Sequence, residues 1–600
     1  MSFLKRVFII RDSVSVVALL LFLTKILGFI KFRMIASLFG ASGELDIFWA
    51  AFIVPDTLFN ILVAGSLNAS IIPVFSDILT KDGEKKLLKL FIGTSFITVL
   101  ISAALILVLF ITADDVSRFL VSSGYIGTFL SLKEISNSDI ELLSSLMKIM
   151  LLSPLLLGIS SVITGFLQVH RKFFITTVSP LVYNVGIIFG AKILVENFGL
   201  GVKGLAWAVI IGSVLHFLIQ LPLVLRFITE SLDIHSLKRI GGSIKYYTRA
   251  IFRIFTLAVP RAVSYLGEQF NVGVNTIISL SLTEGALSAY KFAISLHLFP
   301  VHVFGGAVAQ VSLPDFSELY SKGKLVELRA SFNKALRRTL FIIFPSVAII
   351  VVLRLPLVRL AYGVGQFDWW DTVVTSWALA LLGPAIIGQA VVALALRVLY
   401  SAEETKWPLI ATFVTAVVNI MGSYYFTNFF SHYLDWRPII SQIGLQLGHA
   451  FSGGEAATVI ATSKSLSADL GKWFTTRNVY DAAVGGLSLS LSLAFMVEMV
   501  INMWFVHLKV RAVSWKETVK PNLVMAIAAT IMGIVMYFLF RLTDFSLDTT
   551  RTIQVAILFV VTSFAGIVTY LLLCYAFGVK EIEILYSRGR ALVYSVLRRS

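Results

Sequence analysis

A soluble chain of 600 residues would make about four domains, but this one is 57% hydrophobic and only 14% charged, with a mean hydropathy of +0.88. That excludes a water-soluble globule and specifies an all-α polytopic membrane protein. Its 50 Lys and Arg outnumber 34 Asp and Glu for a net +16, an excess that in such a chain belongs to cytoplasmic loops and lipid headgroups, leaving no place for nucleic acid as a partner.

A helix needs about 20 mostly apolar residues to cross the hydrocarbon layer. About fourteen such stretches follow one another, centred near Leu27, Leu62, Leu100, Leu155, Ile188, Val214, Val272, Phe304, Val347, Leu381, Val417, Met496, Ile531 and Val561. The first lacks an A-x-A cleavage signature and is expected to be retained. Every second loop is basic, as in Lys81 to Lys89, Arg226 to Arg253, Lys322 to Arg338 and Lys509 to Lys520. This pattern predicts cytoplasmic termini and an even number of spans. The last span holds the single cysteine, Cys574, so no intramolecular disulfide forms.

Charges within these spans are functional candidates, because an ion at bilayer depth costs several kcal/mol without a partner or a wet cavity. Span one carries Lys25, Lys31 and Arg33, for which snorkelling to an interface competes with a cavity role. Asp46 opens span two as an N-cap or a counter-charge, and Asp56 follows Pro55 where no capping role exists. Span seven holds Arg261, Glu268, Asn271 and Asn275. Glu268 with the two amides suits a small cation or a proton, and an Arg261/Glu268 pair is the competing structural reading. Span eight holds Lys291 with Ser295 one turn on, span eleven Asn419 and span twelve Glu498. His297 and His302 are spaced off-face for a metal and read as packing residues.

Two distant segments match in register. GSLNASIIPVFSD from Gly65 pairs with GAVAQVSLPDFSE from Gly306, 241 residues on. Lys172-Phe173 pairs with Lys406-Trp407, Asn184 with Asn419, and Gly204-Leu205 with Gly486-Leu487. The ordered set predicts duplicated halves: helices one to six over 1–230 and seven to twelve over 231–510, with an extracytoplasmic polar insertion at 431–480. Two more helices over 511–579 and a basic tail over 580–600 follow. Halves with an even number of spans share polarity, which places a pseudo-two-fold along the membrane normal and suits a rocking transporter.

No P-loop, G-x-S-x-G or H-E-x-x-H occurs, so an enzyme is not expected. No cofactor or metal is expected either, and Na+, H+ or the membrane potential would have to drive transport.

The stretch TKILGFIKFRMIASLFGASGELDIFWAAFIVPDTLFNILVAGSLNASIIPVFSD resembles the opening spans of the MurJ (MviN) lipid II flippases, within the multidrug/oligosaccharidyl-lipid/polysaccharide exporter superfamily. FLQVHRKFFITTVSPLVYNVGIIFGA, LFPVHVFGGAVAQVSLPDFSELYSKG and LAYGVGQFDWWDT continue the likeness. The resemblance implies fourteen helices in two lobes, a cationic cavity, and movement of undecaprenyl-pyrophosphate-linked peptidoglycan precursor across the bacterial inner membrane, for which a monomer suffices. By position, Lys25 and Lys31 fall where the family has arginines, and Asp46 falls on its aspartate. Phe59 stands where the family often has arginine, and Ile294-Ser295 replace a usual Asp-Arg. The expected substrate site is therefore Lys25, Lys31, Arg33, Asp46, Lys291 and Ser295, with Lys291 and Arg33 supplying the missing charge; the expected ion-coupling set is Glu268, Asn271, Asn275 and Asn419. A rewired cavity also suits another polyprenyl-linked oligosaccharide or a cation-coupled exporter of the superfamily.

Overall fold

The computed structural model describes residues 14–61, 67–122, 136–231, 244–404, 406–451, 470–549 and 551–582. All regular structure among them is helical, as hydrocarbon demands of a chain that must satisfy its backbone internally. The chain forms two compact units, Met1–Gly285 and Ala286–Ser600.

The first unit contains α1 (Val14–Phe39), α2 (Gly43–Phe59), α3 (Leu67–Asp82), α4 (Glu84–Ile111), α5 (Ala113–Ser122), α6 (Asn137–Met150), α7 (Leu152–Val169), α8 (Phe173–Ala191), α9 (Gly201–Leu218), α10 (Leu221–Ser231) and α11 (Ile244–Leu280). One of its cores joins Ile71, Val74 and Phe75 of α3 to Leu87, Leu90 and Phe91 of α4, with Phe166 of α7 and Ile251 and Ile254 of α11. Small residues let α8 and α9 approach closely, as membrane helices without a hydrophobic drive require. A Cβ on Gly186 would lie 2.8 Å from the Gly212 Cα, and one on Gly212 would lie 2.8 Å from the Tyr183 carbonyl oxygen.

The second unit contains α12 (Ala286–Pro300), α13 (Ala307–Ser321), α14 (Leu325–Val352), α15 (Arg354–Tyr362), α16 (Trp369–Leu381), α17 (Gly383–Ser401), α18 (Lys406–Ser431), α19 (Tyr433–Phe451), α20 (Val484–Val510), α21 (Lys520–Ser546) and α22 (Thr552–Ala576). Its core runs from Phe316, Phe332 and Leu336 to Met525, Met532, Tyr570 and Cys574. Gly486 of α20 rests on the α18 backbone at Phe426 and Thr427, and the Ser490 hydroxyl donates to the Asn419 carbonyl at 2.6 Å.

Eleven helical stretches among the described residues are long and apolar enough to cross a bilayer. The other predicted spans correspond to α1, α2 with α3, and α11. The repeat is visible in the elements: α4 and α14 each have 28 residues and begin 241 apart, and the i,i+4 pairs Asp77–Lys81 and Glu318–Lys322 share that offset. Arg171 and Glu403 adopt left-handed φ values of 57° and 58° in the turns before α8 and α18. The segment expected as a polar loop after Ser431 departs from expectation, because it opens with α19, whose Trp436 ring stacks on Phe429 at 5.1 Å. The burial of Arg477 beyond it pushes that guanidinium down to about 10. The tail beyond Ile582 and the basic N-terminal residues lie outside the described residues.

Candidate functional site

The first unit holds a half-open cavity of 350 Å³ lined by Lys31, Phe52, Pro55, Asp56, Phe59, Ser153, Leu157, Pro180, Tyr183 and His216. Helical spacing explains the set. Phe52, Pro55, Asp56 and Phe59 form an i, i+3, i+4, i+7 stripe on α2; Ser153 with Leu157 on α7 and Pro180 with Tyr183 on α8 are single-face pairs. Two of the walls contain a mid-helix proline, which removes a backbone N–H and loosens the ladder beside the cavity.

The polar groups are arranged around Lys31. Its ammonium lies 5.9 Å from the Tyr183 ring centroid and 5.6 Å from that of Phe32, within cation–π range. Asp56 shares the cavity, and its Oδ2 accepts from the Asn60 amide at 3.0 Å. Tyr183 meets the His216 ring edge-on at 6.4 Å. Behind His216, Nδ1 pairs with the Ser160 hydroxyl at 2.7 Å. That hydroxyl accepts from the Gln220 amide at 2.7 Å, and Gln220 Oε1 accepts from Thr164 at 3.0 Å. The cavity thus gathers an ammonium and a phenol as donors, with an imidazole and one carboxylate beside them, a set suited to an oxyanion.

The other candidates have different settings. Asp46 is buried and is not the N-cap: Ser42 caps α2 by accepting from Leu45. Asp46 Oδ2 instead accepts from the Gly285 backbone at 2.8 Å, clamping the chain after α11. Gly285 has φ +81°, and a Cβ there would strike the Ala41 carbonyl, so no other residue fits. Lys25 is exposed and Arg33 half-buried on α1, and neither lines the cavity. Lys291 and Ser295 belong to the second unit; Lys291 is half-buried, and the Ser295 hydroxyl pairs with the buried Tyr362 phenol at 2.5 Å. On α11, Asn275 is buried and Asn271 half-buried, whereas the side chains of Arg261 and Glu268 lie outside the described set. Asn419 is fully buried in the second unit. Sequence reasoning missed Ser153, Tyr183 and His216; the available signal was a polar tip inside an apolar run, as in SPLVYNVG and SVLHFLIQ. Among the described residues no three His, Cys, Asp or Glu side chains group as metal ligands would.

Residues 35–434 match the family described as lipid II flippase MurJ. A probable lipid II flippase MurJ of Buchnera aphidicola subsp. Acyrthosiphon pisum is 27% identical over 418 residues, covering 69% of this chain and 78% of that protein. The lipid II flippase MurJ of Burkholderia cenocepacia is 25% identical over 411 residues, 68% of this chain and 77% of its own. Among solved structures, lipid II flippase MurJ in an inward closed conformation superposes with a TM-score of 0.66 at 20% identity, covering 94% of this chain and 98% of that one. An inward-facing multidrug resistance MATE transporter of the MOP superfamily follows at 0.59 and 12% identity, covering 82% and 95%. These two likenesses describe the fold. The family match covers most of the chain, and with the helical membrane architecture and the cavity around Lys31 it leads to one conclusion: this multi-pass membrane protein belongs to the MurJ family of lipid II flippases.

Proposed function

We propose that the chain carries lipid II from the cytoplasmic to the outer leaflet of the bacterial inner membrane by alternating access, with both termini in the cytoplasm, and that the cavity of the first unit receives the pyrophosphate. The observation that carries this reading is Lys31 itself: a lysine within an apolar helix, beside a 350 Å³ cavity whose wall is mostly apolar, is costly to keep unless an anion uses it. The volume suits a diphosphate, with the sugar-peptide head extending from the open side and the prenyl tail remaining in lipid. Asp56 shares the cavity with the ammonium, and an arriving pyrophosphate competes with it for the same charge.

Lys25, Arg33 and Asp46 act around this cavity in a lesser way: Lys25 is exposed, and Asp46 already holds Gly285. The chain's own residues do no bond chemistry. An ion gradient or the membrane potential supplies direction, with Asn271 and Asn275 on α11 as the amides for a coupling cation. Phe59 on the cavity wall supports a second reading, a flippase for another polyprenyl-linked oligosaccharide, because it replaces the arginine common in the family.

The test is replacement of a host's own lipid II flippase by this chain, scored by lipid II accessible at the outer face. The proposal expects exposure to be restored, and lost again in Lys31→Ala. Unchanged exposure with a different lipid-linked glycan retained inside would replace lipid II by that glycan.

A further inference from the structure

The second unit has a cavity of its own, 420 Å³ in volume, between the facing sides of α13 and α14. Ser312 and Asp315 come from α13, and Ser331, Lys334 and Arg338 from α14. The neighbouring basic residues are already committed: Lys322 to Glu318, Lys324 to Glu327, Arg329 to Glu517 and Arg337 to Glu581. Lys334, Arg338 and Asp315 make no ion pair among the described residues, and all three line this cavity. Arg338 stands two residues before the apolar run that starts at Leu340, the depth of a headgroup layer.

The internal repeat sets this cavity against a closed core in the first unit. Subtracting 241 from Ser312, Asp315, Ser331, Lys334 and Arg338 gives Ile71, Val74, Leu90, Gly93 and Ile97. Ile71, Val74 and Leu90 are buried in the first unit's core, with Ile97 packed against it, and a Cβ on Gly93 would meet Ile251 of α11 at 3.3 Å. The same face is sealed by a helix in one unit; in the other it carries two cations, a carboxylate and two hydroxyls among alanines and valines.

We propose that this cavity binds the headgroup of a cytoplasmic-leaflet phospholipid bearing a primary ammonium, of the phosphatidylethanolamine type. Lys334 and Arg338 take the phosphate, Asp315 takes the ammonium, and the exposed Val311 on the same stripe of α13 lies along an acyl chain. Charge complementarity selects this occupant, because a plain anion leaves Asp315 opposing it and a quaternary ammonium offers Asp315 no hydrogen bond. The inference rests on the membrane orientation proposed above and is independent of which glycolipid is carried.

The experiment is native mass spectrometry of the full chain extracted from vesicles of equal phosphatidylethanolamine and phosphatidylcholine. The wild-type protein retains phosphatidylethanolamine preferentially. The double variant Lys334→Ala/Arg338→Ala loses it by about tenfold, the loss of charge-assisted bonds to one phosphate. Asp315→Asn keeps bound lipid but no longer prefers one headgroup. Lys324→Ala, whose ammonium is paired with Glu327, retains it as the wild type does. All four positions are exposed, so an unchanged thermal midpoint certifies folding. Undiminished retention by the double variant, equal retention of phosphatidylcholine by the wild type, displacement by inorganic phosphate, or displacement by undecaprenyl pyrophosphate would each overturn the proposal.

Discussion

The hairpins α3–α4 and α13–α14 descend from one pattern and have been put to opposite uses. Their second helices match residue for residue in length, and both keep the same i,i+4 ion pair. In the first unit the hairpin encloses apolar core; in the second it lines an open cavity that carries Asp315, Lys334 and Arg338 among apolar side chains. The exchange runs the other way one element earlier. Phe52, Pro55, Asp56 and Phe59 line the first unit's cavity, whereas their counterparts at the 241 offset, Ala293, Leu296, His297 and Pro300, are all buried. An aromatic cluster of Phe292, Tyr362 and Phe367 packs beside them. A repeated helical scaffold therefore fixes lengths and turns, while the choice of cavity or core is made by a few side chains on each stripe.

Exchanging those side chains is the severest way to break the comparison. Val74→Asp puts a carboxylate into a closed core and should cost about 4 kcal/mol or more, whereas Asp315→Val on the exposed equivalent should change stability by less than about 0.5 kcal/mol. Thermal unfolding in detergent reads both, and similar losses would deny that the stripes differ. Next in size are the glycine contacts shared by both units. Gly212→Ala and Gly486→Ala each force a methyl into a neighbouring backbone and should cost about 3 kcal/mol, while Gly28→Ala, with open space around it, should be nearly neutral or stabilising.

A smaller effect separates the outer faces of the two hairpins. Phe96 of α4 is 67% exposed, while its counterpart Arg337 of α14 reaches Glu581 at 2.9 Å, where the chain after α22 covers that face. Arg337→Ala leaves Glu581 buried without this partner and should lower stability by about 2 kcal/mol, with Glu581→Gln in the same background recovering part of it. The smallest effect concerns Asp114 on α5, whose counterpart in α15 is Leu355. The Ser144 hydroxyl and the Lys148 ammonium hold its carboxyl below the usual carboxylate range. Its contribution is therefore present above the unfolded carboxylate value and fades as pH falls through the lower folded one. Thermal midpoints of Asp114→Asn and the wild type should differ slightly at neutral pH and converge in acid; a gap that widened in acid would reverse the assignment.

The spans were legible because hydrocarbon allows helices and little else, so an apolar run of sufficient length carries its own structure. The duplication was legible wherever a turn or a close contact restricts the residue, as at Pro73 with Pro314 and Gly204 with Gly486. Lys31 was legible as a charge at bilayer depth. Its neighbours were not, because Tyr183 and His216 serve equally as packing residues and only the crossing of α8 and α9 brings them to α1. The role of Asp46 was hidden by its partner, a backbone N–H 239 residues away. α19 was hidden by a Pro and several polar residues that mimic a loop. Lys334 and Arg338 looked like any loop cations until the structure showed their neighbours paired.

The central claim is that Lys31 and its cavity hold the pyrophosphate, and direct binding tests it. Titration of the purified, lipid-reconstituted protein with a short-chain undecaprenyl-pyrophosphate analogue should give at least about tenfold weaker binding for Lys31→Ala, full or near-full binding for Lys31→Arg, and less than about threefold change for Lys25→Ala. Equal affinity in the wild type and Lys31→Ala would contradict the account and move the anion site out of this cavity.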